Sequence, residues 1–279
     1  MFYYSFLAAL FAASISIVLS TLSNDIPRFQ TRLQTPGMSI QPRLNSRQSL
    51  SSDIKYTVSN ADSRNVFVNQ YEKFLYPYAA VNQTKAKNCT NQKPGVPSTF
   101  TGDNINTPCF FDKNSLGPCA VKPYGYDVGK PCILVKVNKI INWFPVGFTN
   151  LDNAVAASDS KAPPLRDVLT TRGVVYDPLI MYVACYGRKE ADMVNLNGDT
   201  NQVSSATAYY PRSGGIEFKY YPYYGNNRDP NYRVPLVAVQ FNNVTRGQDI
   251  NVGCKVYAKN IIDDMRMKVG YYSFVLRID

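Results

Sequence analysis

The hydrophobic pattern begins with one uninterrupted apolar segment. Residues 1–23 contain no charged side chain, and the first charge in the chain is Asp25. About 20 such residues cross the hydrocarbon layer of a bilayer as a helix. A cleaved signal peptide is the alternative, but its apolar region is usually shorter and follows a basic residue. The pattern therefore predicts a membrane-spanning signal-anchor helix over 1–23, with membrane lipid as its surroundings.

The pattern changes abruptly after the apolar segment. Residues 24–55 are rich in Pro, Gln and Ser, and they predict an extended stalk. A short amphipathic helix is expected next, capped by Asp62 or Ser63 and ended by Pro77. Its apolar face would comprise Phe67, Tyr71 and Phe74 or Leu75. Residues 56–279 are predicted to form the folded ectodomain.

Short β-branched runs dominate the rest of the chain and predict strands. Because these strands show no alternation with helices, they favour a mainly β fold, an antiparallel sandwich. Cys185 and Cys254 both fall in predicted strands, so a bond between them is expected to join two sheets. Trp143 is expected in the core. The predicted strands are Cys132–Ile141, Leu179–Tyr186, Ile216–Tyr221, Leu236–Phe241, Ile250–Ala258 and Lys268–Ile278.

Composition narrows the possible functions. The 279 residues include no histidine, which removes histidine-dependent catalysis and imidazole metal ligands. The net charge is +10, but the basic residues are scattered, so nucleic-acid binding is not expected. No phosphate-binding, dinucleotide-binding or nucleophile motif occurs, and acidic residues form no catalytic pair. We expect no enzyme activity, no cofactor, no metal site and no small-molecule substrate.

Six cysteines follow the apolar segment, and none forms a Cys-x-x-Cys pair. An even number beyond a membrane anchor favours three disulfides, although spacing alone does not determine the pairing. Pairing in sequence order would give Cys89–Cys109, Cys119–Cys132 and Cys185–Cys254.

Three Asn-x-Ser/Thr sequons mark candidate glycosylation sites. They begin at Asn82, Asn88 and Asn243. Glycans and disulfides both belong to oxidising compartments, so residues 24–279 are expected outside the cell.

Two segments suggest contacts with another protein. Ala8, Ala12 and Ser16 are spaced four apart, so they form a small-residue stripe that allows close helix approach. Tyr3 could instead belong to an interfacial aromatic belt. The second segment contains Tyr220, Tyr221, Tyr223 and Tyr224 around Pro222. It predicts either an edge strand with a tyrosine-rich corner or a docking surface.

Several motifs together resemble the β subunits of the Na⁺,K⁺-ATPase and the related H⁺,K⁺-ATPase, over almost the whole chain. The membrane segment carries Phe2-Tyr3-Tyr4-Ser5-Phe6, and a Thr-Pro-Gly-Met string follows it. The most specific strings are Leu116-Gly-Pro-Cys119, Tyr124-Gly-Tyr126, Gly129-Lys-Pro-Cys132, Lys136-Val-Asn-Lys-Ile140, Lys219–Gly225, Tyr232–Val239 and Cys254-x-x-Tyr257-Ala-x-Asn260-Ile261.

The resemblance implies a single-pass type II plasma-membrane glycoprotein with an immunoglobulin-like ectodomain and the sequential cysteine pairing. It also implies a non-catalytic chain that supports folding, membrane delivery and K⁺ affinity of a catalytic α subunit. The region of Tyr3, Phe6 and Ala8 would contact membrane helices of that partner. The tyrosine-rich segment would contact one of its extracellular loops.

The sequence departs from the family pattern in three places. Lys139 stands where arginine is usual, which is a modest change, and the other two departures lie near the N-terminus. Leu7 replaces the second tyrosine of the membrane motif, and the family's cytoplasmic head does not precede the helix, which suggests a fragment. Two other functions stay open at this point. They are a membrane-anchored adhesion glycoprotein and the β subunit of an H⁺,K⁺-ATPase.

Overall fold

The computed structural model describes residues 2–22, 35–44, 53–89, 107–149, 151, 162–197, 207–262, 264, 266 and 269–279. Helix α1 spans Phe2–Thr21 and is long and apolar enough to cross a membrane. None of its residues is buried against the rest of the protein. The hydroxyl groups of Ser14, Ser20 and Thr21 donate to backbone carbonyls of the same helix, which lowers the cost of placing them in apolar surroundings.

Within the described residues, nine strands form two sheets. The first sheet has the order β1-β3-β7-β5, and the second has the order β2-β9-β8-β4-β6. All described strand pairs are antiparallel except β2 with β9. The strands are β1 Met38–Gln41, β2 Ile54–Tyr56, β3 Cys132–Val137, β4 Ile180–Gly187, β5 Thr207–Tyr210, β6 Gly215–Glu217, β7 Val237–Phe241, β8 Ile250–Tyr257 and β9 Tyr271–Ile278.

The inner faces of the two sheets share one hydrophobic core. Alternate residues of β8 point into it, because successive side chains of a strand face opposite sides. Phe241 of β7 and Phe274 of β9 bring the sheets together, with ring centroids 6.4 Å apart. Trp143 is buried, as expected. The predicted mainly β sandwich following a single N-terminal helix is therefore confirmed.

Helix α2 spans Ala61–Leu75 and covers one side of the core. Its buried face contains Phe67, Tyr71 and Leu75, as the spacing predicts. The capping residue is different from the expected one. Asn60 accepts hydrogen bonds from the Asp62 and Ser63 amides at 3.0 and 3.2 Å, because its backbone is extended while theirs is helical.

The hydrophobic pattern does not predict two shorter helices that the structure contains. Helix α3 spans Leu165–Arg172, and α4 spans Glu190–Asn197. Leu165, Val168 and Leu169 bury one side of α3. In each helix only about two turns are formed, so a repeat of buried positions is hard to recognise in the sequence.

The predicted stalk is partly wrong. Met38–Gln41 form β1, which pairs with β3, and all but Gln41 are buried. Residues 24–34 and 45–52 of the predicted stalk lie outside the described residues. A strand of four residues alternates too briefly to be distinguished from an extended linker.

The three disulfides join the cysteines in sequence order, Cys89–Cys109, Cys119–Cys132 and Cys185–Cys254. The expectation that Cys185 and Cys254 join two sheets is wrong. They are directly opposite each other on β4 and β8, neighbouring strands of one sheet, with Cα atoms 4.0 Å apart. This bond therefore fixes the register of two strands instead of the distance between sheets.

Candidate partner interface

Helix α1 presents two opposite faces that could contact another protein. Ala8, Ala12 and Ser16 line one side, as their spacing of four predicts. At about 100° per residue, Tyr3 and Phe6 lie on the other side of the helix. Both aromatic rings are largely exposed, Tyr3 by 68% and Phe6 by 64%. One partner helix cannot contact both faces, so the five residues form two separate candidate contacts.

The tyrosine-rich segment is an irregular turn. Phe218–Tyr220 form a short 3₁₀ helix, and the peptide bond before Pro222 is cis. Tyr221 and Tyr223 are buried, whereas Tyr220 and Tyr224 are partly exposed. Strand β6 is the edge strand of its sheet, but it ends at Glu217, so the strand predicted over Ile216–Tyr221 is shorter than expected and the tyrosines follow it as a corner.

Tyr221 belongs to the core of the ectodomain. Its ring meets Trp143 edge to face, with centroids 5.6 Å apart. Burial raises the pKa of the Tyr221 phenol well above its usual value. In the described part of the chain, neither the Tyr221 hydroxyl nor the Trp143 indole nitrogen has a hydrogen-bond partner. The Tyr221 side chain therefore packs the fold and does not form an outer contact surface.

Tyr223 is held by a second small cluster beside the core. Its ring lies 4.9 Å from that of Tyr232, and the Lys139 ammonium lies 4.8 Å from the Tyr223 ring centroid. The backbone carbonyl of Tyr223 accepts a hydrogen bond from the Asn142 amide at 2.8 Å. Tyr223 is thus fixed by both its ring and its backbone.

Asp229 orders the end of the segment. One carboxylate oxygen accepts a hydrogen bond from the Tyr224 amide at 3.0 Å. Burial raises the pKa of this carboxyl, and the hydrogen bond together with nearby Lys87, Lys139 and Arg228 opposes the shift. The Asp229 amide also donates to the Gly225 carbonyl at 2.7 Å. The sequence reading missed Asp229, since its role depends on a turn that no motif reveals.

Tyr220 and Tyr224 are the members of the segment that reach the surface. The Tyr220 ring lies 5.7 Å from Phe111 and 5.2 Å from the Lys219 ammonium. Lys219 pairs with Glu217 at 2.7 Å. A ring that packs on one side and stays partly exposed on the other suits a protein contact, because it offers area with few rotatable bonds.

The candidate glycosylation sites have different surroundings. Asn88 is exposed, and the Thr90 of its sequon lies outside the described residues. Asn82 is half-buried, and its amide nitrogen donates to the Tyr76 carbonyl at 2.7 Å. Asn243 is half-buried in the turn after β7. Asn88 therefore offers the most accessible amide to a glycosylating enzyme.

The described residues contain no group of three His, Cys, Asp or Glu side chains arranged to hold a metal ion. A membrane-spanning helix, a disulfide-bonded sandwich and a tyrosine-bearing surface define the class of this protein. It is a single-pass membrane protein with a folded domain suited to protein contacts.

Comparison with known proteins assigns the family. Residues 1–274 match the family described as sodium/potassium ATPase beta chain. The chain is 31% identical over 287 residues to sodium/potassium-transporting ATPase subunit beta-2 from Homo sapiens, covering 99% of this chain and 83% of that one. The identity is also 31% over 289 residues with the same subunit from Rhinella marina, at 99% and 84% coverage. The chain belongs to the sodium/potassium ATPase beta chain family, whose members are non-catalytic.

A relative of lower identity is named for potassium alone. The potassium-transporting ATPase subunit beta from Rattus norvegicus is 27% identical over 266 residues, covering 94% of this chain and 78% of that relative.

Proposed function

We propose that this chain is the non-catalytic β subunit of a P-type ATPase that exchanges Na⁺ and K⁺. It associates with the catalytic α subunit, assists its folding and delivery to the membrane, and adjusts its K⁺ affinity. The observation that carries the proposal is the match to the β-chain family over nearly the whole chain. Similarity confined to the sandwich would support only a shared fold, whereas here the membrane helix is included.

The chain lies in the plasma membrane as a type II protein with residues 24–279 outside the cell. Three disulfides support this placement, because they persist in oxidising compartments and are rare in the cytosol. The exposed Asn88, which begins a sequon, is consistent with the same compartment.

Within the membrane, the face of α1 that carries Ala8, Ala12 and Ser16 packs against a helix of the catalytic subunit. Lipid provides no hydrophobic driving force between helices, so close backbone approach at small residues provides the packing energy. Tyr3 and Phe6, on the opposite face, form a second contact with the partner.

Outside the membrane, the contact from the tyrosine-rich segment is made by Tyr220 and Tyr224. Tyr221 and Tyr223 are buried in the ectodomain, so they stabilise the turn that positions Tyr220 and Tyr224 and do not contact the partner themselves. Substituting Tyr221 would disturb the fold, so it cannot serve as a simple test of the contact.

A second candidate is the β subunit of a pump that exports H⁺ in exchange for K⁺. The similarity to the rat potassium-transporting ATPase subunit beta favours it as the second choice, although the identity is lower. The two candidates differ in the catalytic subunit that binds the chain.

Affinity purification tests both candidates. The tagged full chain is expressed in animal cells, extracted in mild detergent and captured, and the co-purifying proteins are identified by mass spectrometry. We expect one P-type ATPase catalytic subunit in equal amount, and its identity names the transported ions. Capture of the glycoprotein alone, together with aggregation of cells that display it, would contradict the proposal and favour an adhesion protein.

A further inference from the structure

A basic groove of about 770 Å³ lies on the ectodomain beside the tyrosine-rich segment. It is bounded by the end of β1, the last turn of α2, the end of β3 and residues 232–234. Among the described residues that line it, none carries a carboxylate. Five cationic side chains line it, Arg43, Lys73, Lys136, Lys139 and Arg233.

The positive charge of this groove is only partly offset by the described part of the protein, through the buried carboxylate of Asp229 near Lys139. Lys136 contacts the neutral Asn138 amide oxygen at 3.2 Å. The Arg233 guanidinium donates to the carbonyls of Pro77 and Asn82 at 2.8 and 3.2 Å. None of the ion pairs found between described residues includes any of the five cations. Lys136 and Arg233 contact neutral acceptors and Lys139 lies over aromatic rings, so these three charges remain available to a ligand.

The cations are close enough to influence one another. Burial lowers the pKa of Lys136, and the neighbouring charges of Lys139 and Arg43 lower it further. Burial and Arg233 likewise lower the pKa of Lys139, while Asp229 acts in the opposite direction. A bound anion would relieve this repulsion.

The walls of the groove are not purely polar. Phe74, Tyr78, Tyr232 and Val234 also line it, and the Tyr78 hydroxyl is already bonded to the Val234 carbonyl at 2.8 Å. A small hydrated anion gains little from aromatic walls. A peptide that carries carboxylates among apolar side chains can use both the rings and the cations.

The groove also adjoins the candidate partner surface. Lys139 lies 4.8 Å from the Tyr223 ring and 5.3 Å from the Tyr232 ring. Tyr223 is next to Tyr224, which reaches the surface. A segment of the partner that contacts Tyr224 would therefore lie near the groove.

We propose that the groove binds an acidic extracellular segment of the catalytic subunit, with carboxylates directed at Lys136, Lys139 and Arg233. This inference rests on the proposed function, because it takes the catalytic subunit as the partner. It adds a surface and a chemical class of ligand to that function.

The binding of a model peptide tests the groove on the full chain in detergent. The probe is a fluorescent hexaglutamate peptide, with hexaglutamine as its neutral counterpart, and binding is followed by anisotropy at low and high salt. We expect salt-sensitive binding of hexaglutamate alone. Replacing Lys136→Gln together with Lys139→Gln should weaken it about tenfold.

Two control variants make the result specific. Lys136→Arg with Lys139→Arg keeps both charges and should retain binding, which separates lost charge from a lost fold. Lys122→Gln removes an exposed lysine outside the groove and should have no effect. Unchanged affinity in the double glutamine variant would overturn the proposal. Binding of heparin at this groove without binding of hexaglutamate would also overturn it, in favour of a sulfated polysaccharide.

Co-purification then tests the source of the acidic segment. The double glutamine variant should retain less of the pump's catalytic subunit than the unsubstituted chain as salt is raised. Equal retention, with peptide binding lost, would overturn the assignment of the partner and leave the proposed function intact. Failure of the unsubstituted chain to capture any pump would instead contradict the proposed function itself.

Discussion

Helix α1 and strand β8 are both strongly apolar, yet they meet opposite surroundings. None of the residues of α1 is buried, whereas every residue of β8 except Asn251 is buried. Burial of apolar surface drives folding in water, so β8 is stabilised by its own domain. The helix needs lipid or a partner to cover its surface. Substitutions in the ectodomain should therefore change stability, and substitutions in α1 should change association.

The same contrast recurs on a smaller scale within the tyrosine-rich segment. Tyr221 and Tyr223 are packed by the ectodomain, and Tyr220 and Tyr224 are partly exposed. Residue type alone does not distinguish these roles, because all four tyrosines occur within five positions. Their burial separates the pair that supports the surface from the pair that could contact a partner.

The largest effect on stability is expected from the disulfide between β4 and β8. Replacing Cys185→Ala together with Cys254→Ala should lower the free energy of unfolding by about 4 kcal/mol, because the bond closes a long loop. Replacing Cys89 and Cys109 by alanine should lower the free energy of unfolding by about 3 kcal/mol, because their bond closes a shorter loop of the chain. Urea unfolding of the full chain in detergent measures both losses. A larger loss for the shorter loop would contradict this ranking.

The buried tyrosine gives the next largest effect. Tyr221→Ala should lower the free energy of unfolding by about 3 kcal/mol, since it leaves a cavity beside Trp143. Tyr221→Phe should leave stability unchanged, because the hydroxyl makes no hydrogen bond within the described residues. Tyr224→Ala, on the partly exposed ring, should cost less than about 1 kcal/mol. Equal losses for the Phe and Ala variants at Tyr221 would show that its hydroxyl is paired after all.

A smaller loss is expected at the start of α2. Asn60→Ala should cost about 1 kcal/mol, because it removes the acceptor for two backbone amides. Asp62→Ala should cost about 0.3 kcal/mol, since Asp62 only interacts with the helix dipole. Thermal unfolding followed by circular dichroism ranks the two variants. A larger loss of stability in Asp62→Ala than in Asn60→Ala would indicate that Asp62 is the capping residue.

The smallest effect is expected for an exposed ion pair. Lys122 and Glu72 are 2.7 Å apart, and about half of each side chain is exposed. A double-mutant cycle with alanine should give a coupling of about 0.3 kcal/mol that disappears at high salt. A coupling above about 1 kcal/mol would mean that this pair is shielded from solvent.

Much of the fold could be predicted from sequence because it depends on local patterns. The apolar run of α1, the alternation in β7 and β8, and the buried face of α2 are each readable within a short window. Helices α3 and α4 were missed because eight residues show barely two turns. The role of the Cys185–Cys254 bond was misjudged because strand neighbours are decided by pairing across 69 positions.

The candidate surfaces were predictable only in part. Tyrosines around Pro222 mark an unusual segment, but nothing in the sequence shows which rings are buried. The basic groove was invisible for a different reason. Arg43, Lys136 and Arg233 are far apart along the chain, so their charges look scattered until the fold brings them to one place.

The most direct test of the contrast between α1 and the ectodomain is a tryptophan substitution in the membrane. Ala12→Trp places a large ring on the small-residue stripe and should abolish capture of the catalytic subunit without changing ectodomain stability. Val18→Trp is the matched control, since Val18 lies about 120° from the centre of that stripe and about 18 Å or more along the helix axis from Tyr3 and Phe6. Retained capture with Ala12→Trp, or equal loss with Val18→Trp, would contradict a specific contact through Ala8, Ala12 and Ser16.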